Sequence, residues 1–235
     1  MKLTIKEVTR LFDVSPNTIY KWIKEDEFPA YRIKERYRFN PVDILEWAIA
    51  KKVPYRAELV HLPDADGTPP QPSTSLVQAL EAGGVHYKVP NHDKASVIRA
   101  VVDRLPLPTD VDREFVAQML LARENLGSTG LGDGIAIPHP RNPLVVHIDN
   151  PLLTLWFLET PVDFDAMDGQ PVHTVFALVC PTIKNHLILL SRLASALKDT
   201  TFRQLITARG SREDLLTQWR RLESQVVDGS EKKKA

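Results

Sequence analysis

Apolar positions recur at helical spacing from the start of the chain. Ile5, Val8, Leu11 and Phe12 form one stripe behind the capping-box sequence Thr4-Ile-Lys-Glu7, whose hydroxyl and carboxylate satisfy the orphan amides of a helix start. Asp13-Val14 turns the chain. Ser15-Pro16 then opens a second helix with an N-cap serine and a proline at the first helical position. Ile19, Trp22 and Ile23 face inward on it, which leaves Asn17, Thr18, Tyr20, Lys21 and Lys24 on its other faces. The period next shortens to two, with Tyr31–Ile33 and Arg36–Phe39 alternating around Lys34-Glu35 as a half-exposed hairpin does. A helix from Pro41 to Ile49, carrying Val42, Leu45 and Trp47, closes this segment.

Periodicity then lapses. From about Val53 to Thr74 the chain carries Pro54, Pro63, Pro69, Pro70 and Pro72 with Asp64-Ala-Asp-Gly67, a partly extended linker that would hold two domains apart. Beyond it, helices are read over 76–82, 93–104, 111–123, 185–198, 202–207 and 212–226, and strands over 85–89, around Ile135, over 152–159 and over 172–180. Strands as apolar as Leu152-Leu-Thr-Leu-Trp-Phe-Leu158 have to be covered on both faces. The second domain is therefore expected to be α/β (α+β), a three-layer α/β/α sandwich around a mixed sheet. The expected organisation is a small helical and hairpin domain over 1–52, a Pro-rich linker over 53–74, the sandwich over 75–226 and a disordered polar tail over 227–235.

Composition narrows the class. The 235 residues are 43% hydrophobic with zero formal net charge, which suits one large or two modest globular domains. No apolar run approaches the ~20 residues of a membrane span, and the first residues lack the apolar core of a signal peptide. A single cysteine, Cys180, excludes an internal disulfide framework and reads as buried packing; a cytoplasmic protein is expected. Zero net charge hides a small asymmetry, since residues 1–52 hold seven lysines and four arginines against eight acids, a net of +3.

The chemistry-bearing stretch is Gly127-Ser-Thr-Gly-Leu-Gly-Asp-Gly-Ile-Ala-Ile-Pro-His139. Glycines at 127, 130, 132 and 134 let backbone N–H groups approach an anion, with Ser128 and Thr129 beside them, and Pro138 and Pro140 stiffen the backbone around one imidazole. Arg123 stands sixteen residues upstream at the end of an amphipathic segment, where a guanidinium suits phosphoryl binding. Spacing alone allows two readings: a site for reversible phosphorylation of His139, or a Gly-rich turn before a core strand with a surface histidine. No Lys-Ser/Thr follows the glycines, so an ATP-binding phosphate loop is not expected. Neither is a metal or a cofactor, because His139, Asp133 and His186 fit no compact ligand motif. His61, His86, His92, His147 and His173 read as structural or surface residues.

From Ser73 to about Val226 the chain resembles the enzyme IIA domain of the fructose/mannitol/nitrogen-regulatory branch of the bacterial phosphoenolpyruvate phosphotransferase system. The resemblance runs through Leu80-Glu-Ala-Gly-Gly-Val85, Leu105-Pro-Leu-Pro108, Leu121-Ala-Arg-Glu124, Gly127-Ser-Thr-Gly130, Gly134-Ile-Ala-Ile-Pro-His139, Pro161-Val-Asp163, Asp168-Gly169 and His186-Leu187. It implies that His139 accepts the phosphoryl group, that Arg123 binds it, and that His186 is the second active-site histidine. On its own residues His186 reads as a helix-capping histidine. One departure stands out: the family has glycine where this chain has Pro140, which removes an amide donor, and Arg141 follows.

The first 52 residues resemble the small excisionase/MerR-like winged helix-turn-helix DNA-binding domain. The matching residues are Thr4-Ile-Lys-Glu-Val8, Val14-Ser-Pro-Asn-Thr-Ile-Tyr-Lys-Trp22, Pro29-Ala-Tyr-Arg32 and Tyr37-Arg-Phe39 before Asp43 and Trp47. Asn17 suits adenine edges, Thr18 a base or phosphate, and Tyr20, Lys21 and Lys24 backbone oxygens. Arg36 and Arg38 share one face of the hairpin wing. The plain alternative is a set of solvated charges on a small interaction domain. Three functions follow: a DNA-binding regulator phosphorylated by an HPr-type phosphocarrier; a carrier that passes phosphate to a IIB partner for sugar uptake; and a non-catalytic protein-binding sensor. A homodimer is expected, because one small winged domain reads few bases.

Overall fold

The computed structural model describes residues 2–25, 28–62, 75–140 and 148–231, without the side chains of 225–231. Backbone contacts divide the chain into two units, Met1–Gln71 and Pro72–Ala235. In the first, the capping box forms as its spacing requires. Thr4 N–H donates to Glu7 Oε2 at 2.7 Å and Glu7 N–H donates to Thr4 Oγ1 at 3.4 Å, opening α1 (Ile5–Phe12). Asp13 turns the chain at φ 56° into α2 (Pro16–Glu25). β1 (Tyr31–Ile33) and β2 (Arg36–Arg38) pair antiparallel through Lys34 and Glu35, both at positive φ (44° and 61°), the hand of two-residue turn that matches strand twist. α3 (Pro41–Ala50) is capped by Asn40.

Aromatic rings make the centre of this unit. Phe12, Trp22, Phe28, Phe39 and Trp47 meet with centroids 4.6–6.4 Å apart, the range in which edge-on and tilted pairs add to simple burial. The unit also continues past residue 52. Arg56 N–H donates to Leu11 O at 2.8 Å, its guanidinium pairs with Asp13 at 2.8 Å, and a short turn at Ala57–Leu59 buries Leu59 and Val60. The expected linker thus begins as packed chain, because two apolar residues inside the proline-spaced stretch reach the core. Its remaining part, 63–74, lies outside the described residues.

The second unit contains α4 (Leu76–Gly83), β3 (Val85–Val89), α5 (Lys94–Arg104), α6 (Arg113–Glu124), β4 (Gly130–Gly132) and β5 (Ile135–Ala136). They are followed by β6 (Leu152–Val162), β7 (Val172–Val179), α7 (Ile183–Ala196), α8 (Thr200–Thr207) and α9 (Arg212–Glu231). The sheet order is β3-β6-β7-β5-β4. β3 runs parallel to β6 and β5 parallel to β7, while β6–β7 and β4–β5 are antiparallel, so the sheet is mixed as the sequence implies. Alternate residues of β6 and β7 serve opposite faces. Trp156, Leu158, Val175 and Ala177 join Val97, Val101, Val116 and Leu120 of α5 and α6; on the other face Phe176 meets Trp219, and Trp219 meets Phe202. Helices therefore cover both faces of the apolar strands.

Most element ends shift by one to three residues, and two differences are larger. β4 is a strand where the sequence reads only a turn, since glycines carry no strand propensity. α9 runs to Glu231 rather than stopping at Val226, because no proline interrupts it; Lys232–Ala235 lie outside the described residues.

α4 ends on β6 at very close range. A Cβ built on Gly83 would stand 2.2 Å from Leu153 O, a backbone atom that cannot move aside cheaply. Gly83→Ala is expected to destabilise the protein by about 1–3 kcal/mol through overpacking, read as a lower urea midpoint. An unchanged midpoint would mean that α4 can retreat from the sheet at no cost.

Candidate functional site

β5 is two residues long, yet it is bonded on both sides, to β7 in parallel (Ile135↔Thr174, Ala136↔Val175) and to β4 antiparallel. The chain leaves it as Ile137-Pro138-His139-Pro140, and Pro138 O accepts from Leu178 N–H at 3.1 Å. The segment therefore keeps following β7 up to the histidine. β7 itself leads through Cys180 and Pro181 to Thr182, the N-cap of α7, and His186 lies in the first turn with its N–H on Thr182 O at 3.1 Å. Both histidines thus emerge beyond the carboxyl ends of neighbouring parallel strands, where open α/β sheets gather functional groups. Their ring centroids are 4.9 Å apart, inclined by 47°.

His139 Nδ1 lies 2.6 Å from Ile137 O. A carbonyl can only accept, so Nδ1 bears the proton and the lone pair belongs to Nε2. Both rings are buried, His139 at 3% and His186 at 0% exposure. The helix cap that residue type alone assigned to His186 is instead made by Thr182, whose Oγ1 accepts from Asn185 N–H at 3.0 Å. His186 stands within the positive end of α7.

Arg123 is in the last turn of α6 and donates from Nη1 to Gly127 O at 2.9 Å. The glycine-rich stretch that follows is a built hairpin rather than an open anion cradle. Gly127 N–H donates to Glu124 O, Thr129 N–H to the Glu124 carboxylate (3.2 and 3.3 Å), Gly130 N–H to Ser128 Oγ (2.9 Å) and Asp133 N–H to Asp168 Oδ2 (2.7 Å). The hydroxyls are engaged too, Ser128 Oγ donating to Phe164 O (2.5 Å) and Thr129 Oγ1 to Glu124 Oε2 (2.6 Å). Ser128 and Thr129, expected as phosphate contacts, therefore serve the hairpin. Gly132 and Gly134 are needed for close approach: at φ 88° and 73°, a Cβ on the first would meet the Asp168 carboxylate at 2.8 Å and on the second the His173 ring at 2.4 Å. The missed signal was Asp133-Gly134, both at positive φ, the dipeptide of a two-residue hairpin turn.

Glu124 is the residue that spacing gave no role. It is 3% exposed, and Lys94 Nζ stands 3.7 Å from its Oε1 and 2.6 Å from Asp165 Oδ2. Burial works against the Lys94 charge, but the two carboxylates outweigh it and raise the ammonium pKa.

In the first unit, Asn17, Tyr20, Lys21 and Lys24 are exposed along α2. Lys21 pairs with Glu25 at 3.7 Å. Thr18 is half-buried with its hydroxyl 3.0 Å from Ser15 Oγ, which places it in the helix cap. Arg36 is exposed on the hairpin; Arg38 is half-buried and donates from Nη1 to Tyr37 O at 2.9 Å. Tyr37, to which spacing gave no role of its own, meets Tyr20 ring to ring at 5.9 Å and joins α2 to the hairpin.

Among the remaining histidines, His86 stacks on Trp156 at 3.9 Å and His173 packs against Gly134, with Nδ1 2.8 Å from Thr174 Oγ1. Burial lowers both pKa values, and it raises that of the Cys180 thiol. Arg141 and His147 lie outside the described residues. Among the described residues no helix is long and apolar enough to cross a membrane.

Comparison with known proteins gives this arrangement a family. Residues 79–218 match the phosphoenolpyruvate-dependent sugar phosphotransferase system EIIA 2 family, and residues 3–52 match a helix-turn-helix domain. The nitrogen regulatory protein of Pseudomonas aeruginosa is 36% identical over 144 residues, 60% of this chain and 91% of that protein. The nitrogen regulatory protein of Escherichia coli is 36% identical over 147 residues, 62% of this chain and 86% of its own length. The crystal structure of nitrogen regulatory protein IIA-Ntr from Neisseria meningitidis superposes with a TM-score of 0.55 at 29% identity, covering 61% of this chain and 98% of that one. The chain belongs to the EIIA type-2 family and carries an N-terminal helix-turn-helix domain.

The half-buried His86 and His173 also bear on stability. Their folded-state pKa values lie below the ordinary 6.5, so the unfolded chain binds more protons just below that pH. Their contribution is full above about pH 6.5 and declines as pH falls toward the lowered folded values. Urea midpoints measured from about pH 7 down to pH 5 are expected to fall, and His173→Gln should flatten part of the slope. An equal slope in the variant would remove His173 from the account.

Proposed function

We propose that His139 accepts a phosphoryl group on Nε2 from an HPr-type phosphocarrier and that the N-terminal unit binds DNA, so that phosphotransfer state is coupled to transcription. The observation that carries the first half is the Nδ1 bond to Ile137 O, which leaves the lone pair on Nε2. In the transfer, that pair attacks phosphorus as the donor's phosphorus–nitrogen bond breaks, and the electrons of the broken bond return to the donor imidazole. The proton stays on Nδ1, donated in a hydrogen bond to Ile137 O, which offsets charge on the phosphorylated ring. Arg123, anchored at Gly127 O, supplies positive charge for the phosphoryl oxygens. His186, 4.9 Å away between centroids, is the neighbouring polar group at a helix start. The protein is then a phosphoryl carrier rather than a turnover enzyme, working in the cytoplasm where its donor is found.

DNA binding is supported by the exposed amide, phenol and amines of α2 beside the arginine-bearing hairpin. Asn17 is assigned to base edges and Lys21, Lys24, Arg36 and Arg38 to phosphates. A homodimer would bring two such surfaces to paired half-sites. Coupling between phosphorylation and DNA binding is bounded by the contact energy that differs between states, typically 5–150-fold in affinity.

Incubation with phosphoenolpyruvate, enzyme I and HPr is expected to place acid-labile label on His139. His139→Ala should abolish it and Arg123→Ala should slow it by about 100-fold. Label retained in His139→Ala would overturn the acceptor assignment.

On the DNA side, Lys21→Ala is expected to weaken binding across sequences and lower the salt slope by about one. A chain lacking residues 1–60 that binds duplex DNA as well as the full protein would overturn the assignment. Equal operator affinity before and after phosphorylation would leave the units uncoupled.

A further inference from the structure

Among the described residues Glu124 is the one buried carboxylate, and what it bonds leads by short steps to the histidine. Its side chain is 1% exposed, and its charge faces Lys94 Nζ at 3.7 Å. It accepts both donors of Thr129, N–H at 3.2 and 3.3 Å and Oγ1–H at 2.6 Å. Thr129 O then accepts Ile137 N–H at 3.0 Å, and Ile137 O receives His139 Nδ1–H at 2.6 Å. Glu124 also follows Arg123 directly in the last turn of α6, so the same carboxylate ties the end of that helix to the strand that bears the histidine.

We propose that Glu124, with Lys94 as its counter-ion, is a positioning residue for the phosphoryl acceptor: through Thr129 and Ile137 it fixes the carbonyl that sets the tautomer of His139. The proposal rests on the reading of His139 as the acceptor. Glu124 touches no reacting atom. A residue present only to fill space at this point would be apolar. An acid here instead requires a lysine from α5, and that lysine is itself tied to Asp165 at 2.6 Å. One carboxylate accepting two donors of a single threonine leaves that residue's carbonyl little freedom, and that freedom is what would let the Ile137 carbonyl drift from Nδ1. With the carbonyl displaced, the proton can settle on either ring nitrogen, and the Nδ1-protonated form that attacks through Nε2 loses population.

The test uses the full chain labelled with 15N at histidine, in its unphosphorylated state. Imidazole nitrogen shifts report which nitrogen of His139 holds the proton, independently of any transfer. The native protein and Thr129→Ser, which keeps the hydroxyl, are expected to show the Nδ1–H tautomer alone. Glu124→Gln and Thr129→Val are expected to show mixed tautomers and an initial rate of labelling by phospho-HPr about tenfold lower or less, with cooperative unfolding retained. Thr129→Val keeps the backbone donor and the side-chain shape, so it carries the test if Glu124→Gln does not fold. An unmixed Nδ1–H tautomer in the folded variants overturns the proposal, whether or not the rate falls, since a rate loss alone would mark a general packing role. If native protein takes no label, the acceptor reading fails, while the tautomer comparison still decides the positioning role.

Discussion

The parallel pairing of β5 with β7 is the constraint on which the site depends. Parallel neighbours end on the same side of a sheet, and only that arrangement brings His139 and His186, forty-seven residues apart in sequence, to a centroid separation of 4.9 Å. Two residues of strand are a weak anchor by themselves. The pairing is lengthened at both ends: Gly134 O accepts the N–H groups of both His173 and Thr174, and Pro138 O accepts that of Leu178. Pro138 has no donor to lose, so its carbonyl is the one group by which that residue can hold the sheet. β4 closes the other side and keeps β5 from being an exposed edge.

Much of this was legible in the sequence because the elements are strongly patterned. Strands β6 and β7, apolar over most of their length, predict coverage on both faces, and α5/α6 on one side with Trp219 and Phe202 on the other supply it. The N-terminal capping box and the Ser15-Pro16 start were equally readable, since each is a local rule with local partners. What escaped were features whose physics is not local in sequence. Glycine spacing suggested an open anion loop, but Ser128 finds Phe164 O and Asp133 finds Asp168, partners thirty-five or more residues away. Glu124 escaped for the same reason, because its burial is a fact of the sheet and not of its helix. On its own residues His186 read as a helix cap, a role that Thr182 fills; the resemblance had already marked it as the second active-site histidine.

The filled hairpin changes how an anion can be held at this site. A phosphoryl group docked on Ser128 or Thr129 would have to displace Phe164 O or the Glu124 carboxylate, and the latter is a like charge at the same donors. Gly132 faces another carboxylate, that of Asp168. Backbone amides so engaged cannot reorient toward a developing charge without breaking bonds inside the fold, whereas a guanidinium and a helix terminus present fixed positive potential at no such cost. The described contacts of Gly132 and Gly134 are close approaches of chain segments rather than donors turned outward.

The same distinction between shape and charge applies in the first unit. Its hairpin has only three paired residues on each strand, too few to hold a direction alone. It turns through Lys34 and Glu35 at positive φ, where neither residue is at ease. Its orientation is set from outside by the Leu3–Phe39 bridge at one edge and the Tyr20–Tyr37 contact at the other. The second contact joins the hairpin to α2, so the arginines of one and the polar residues of the other present a single surface whose geometry rests on an aromatic pair. The tyrosine pair thus fixes how helix and hairpin stand to each other within this unit.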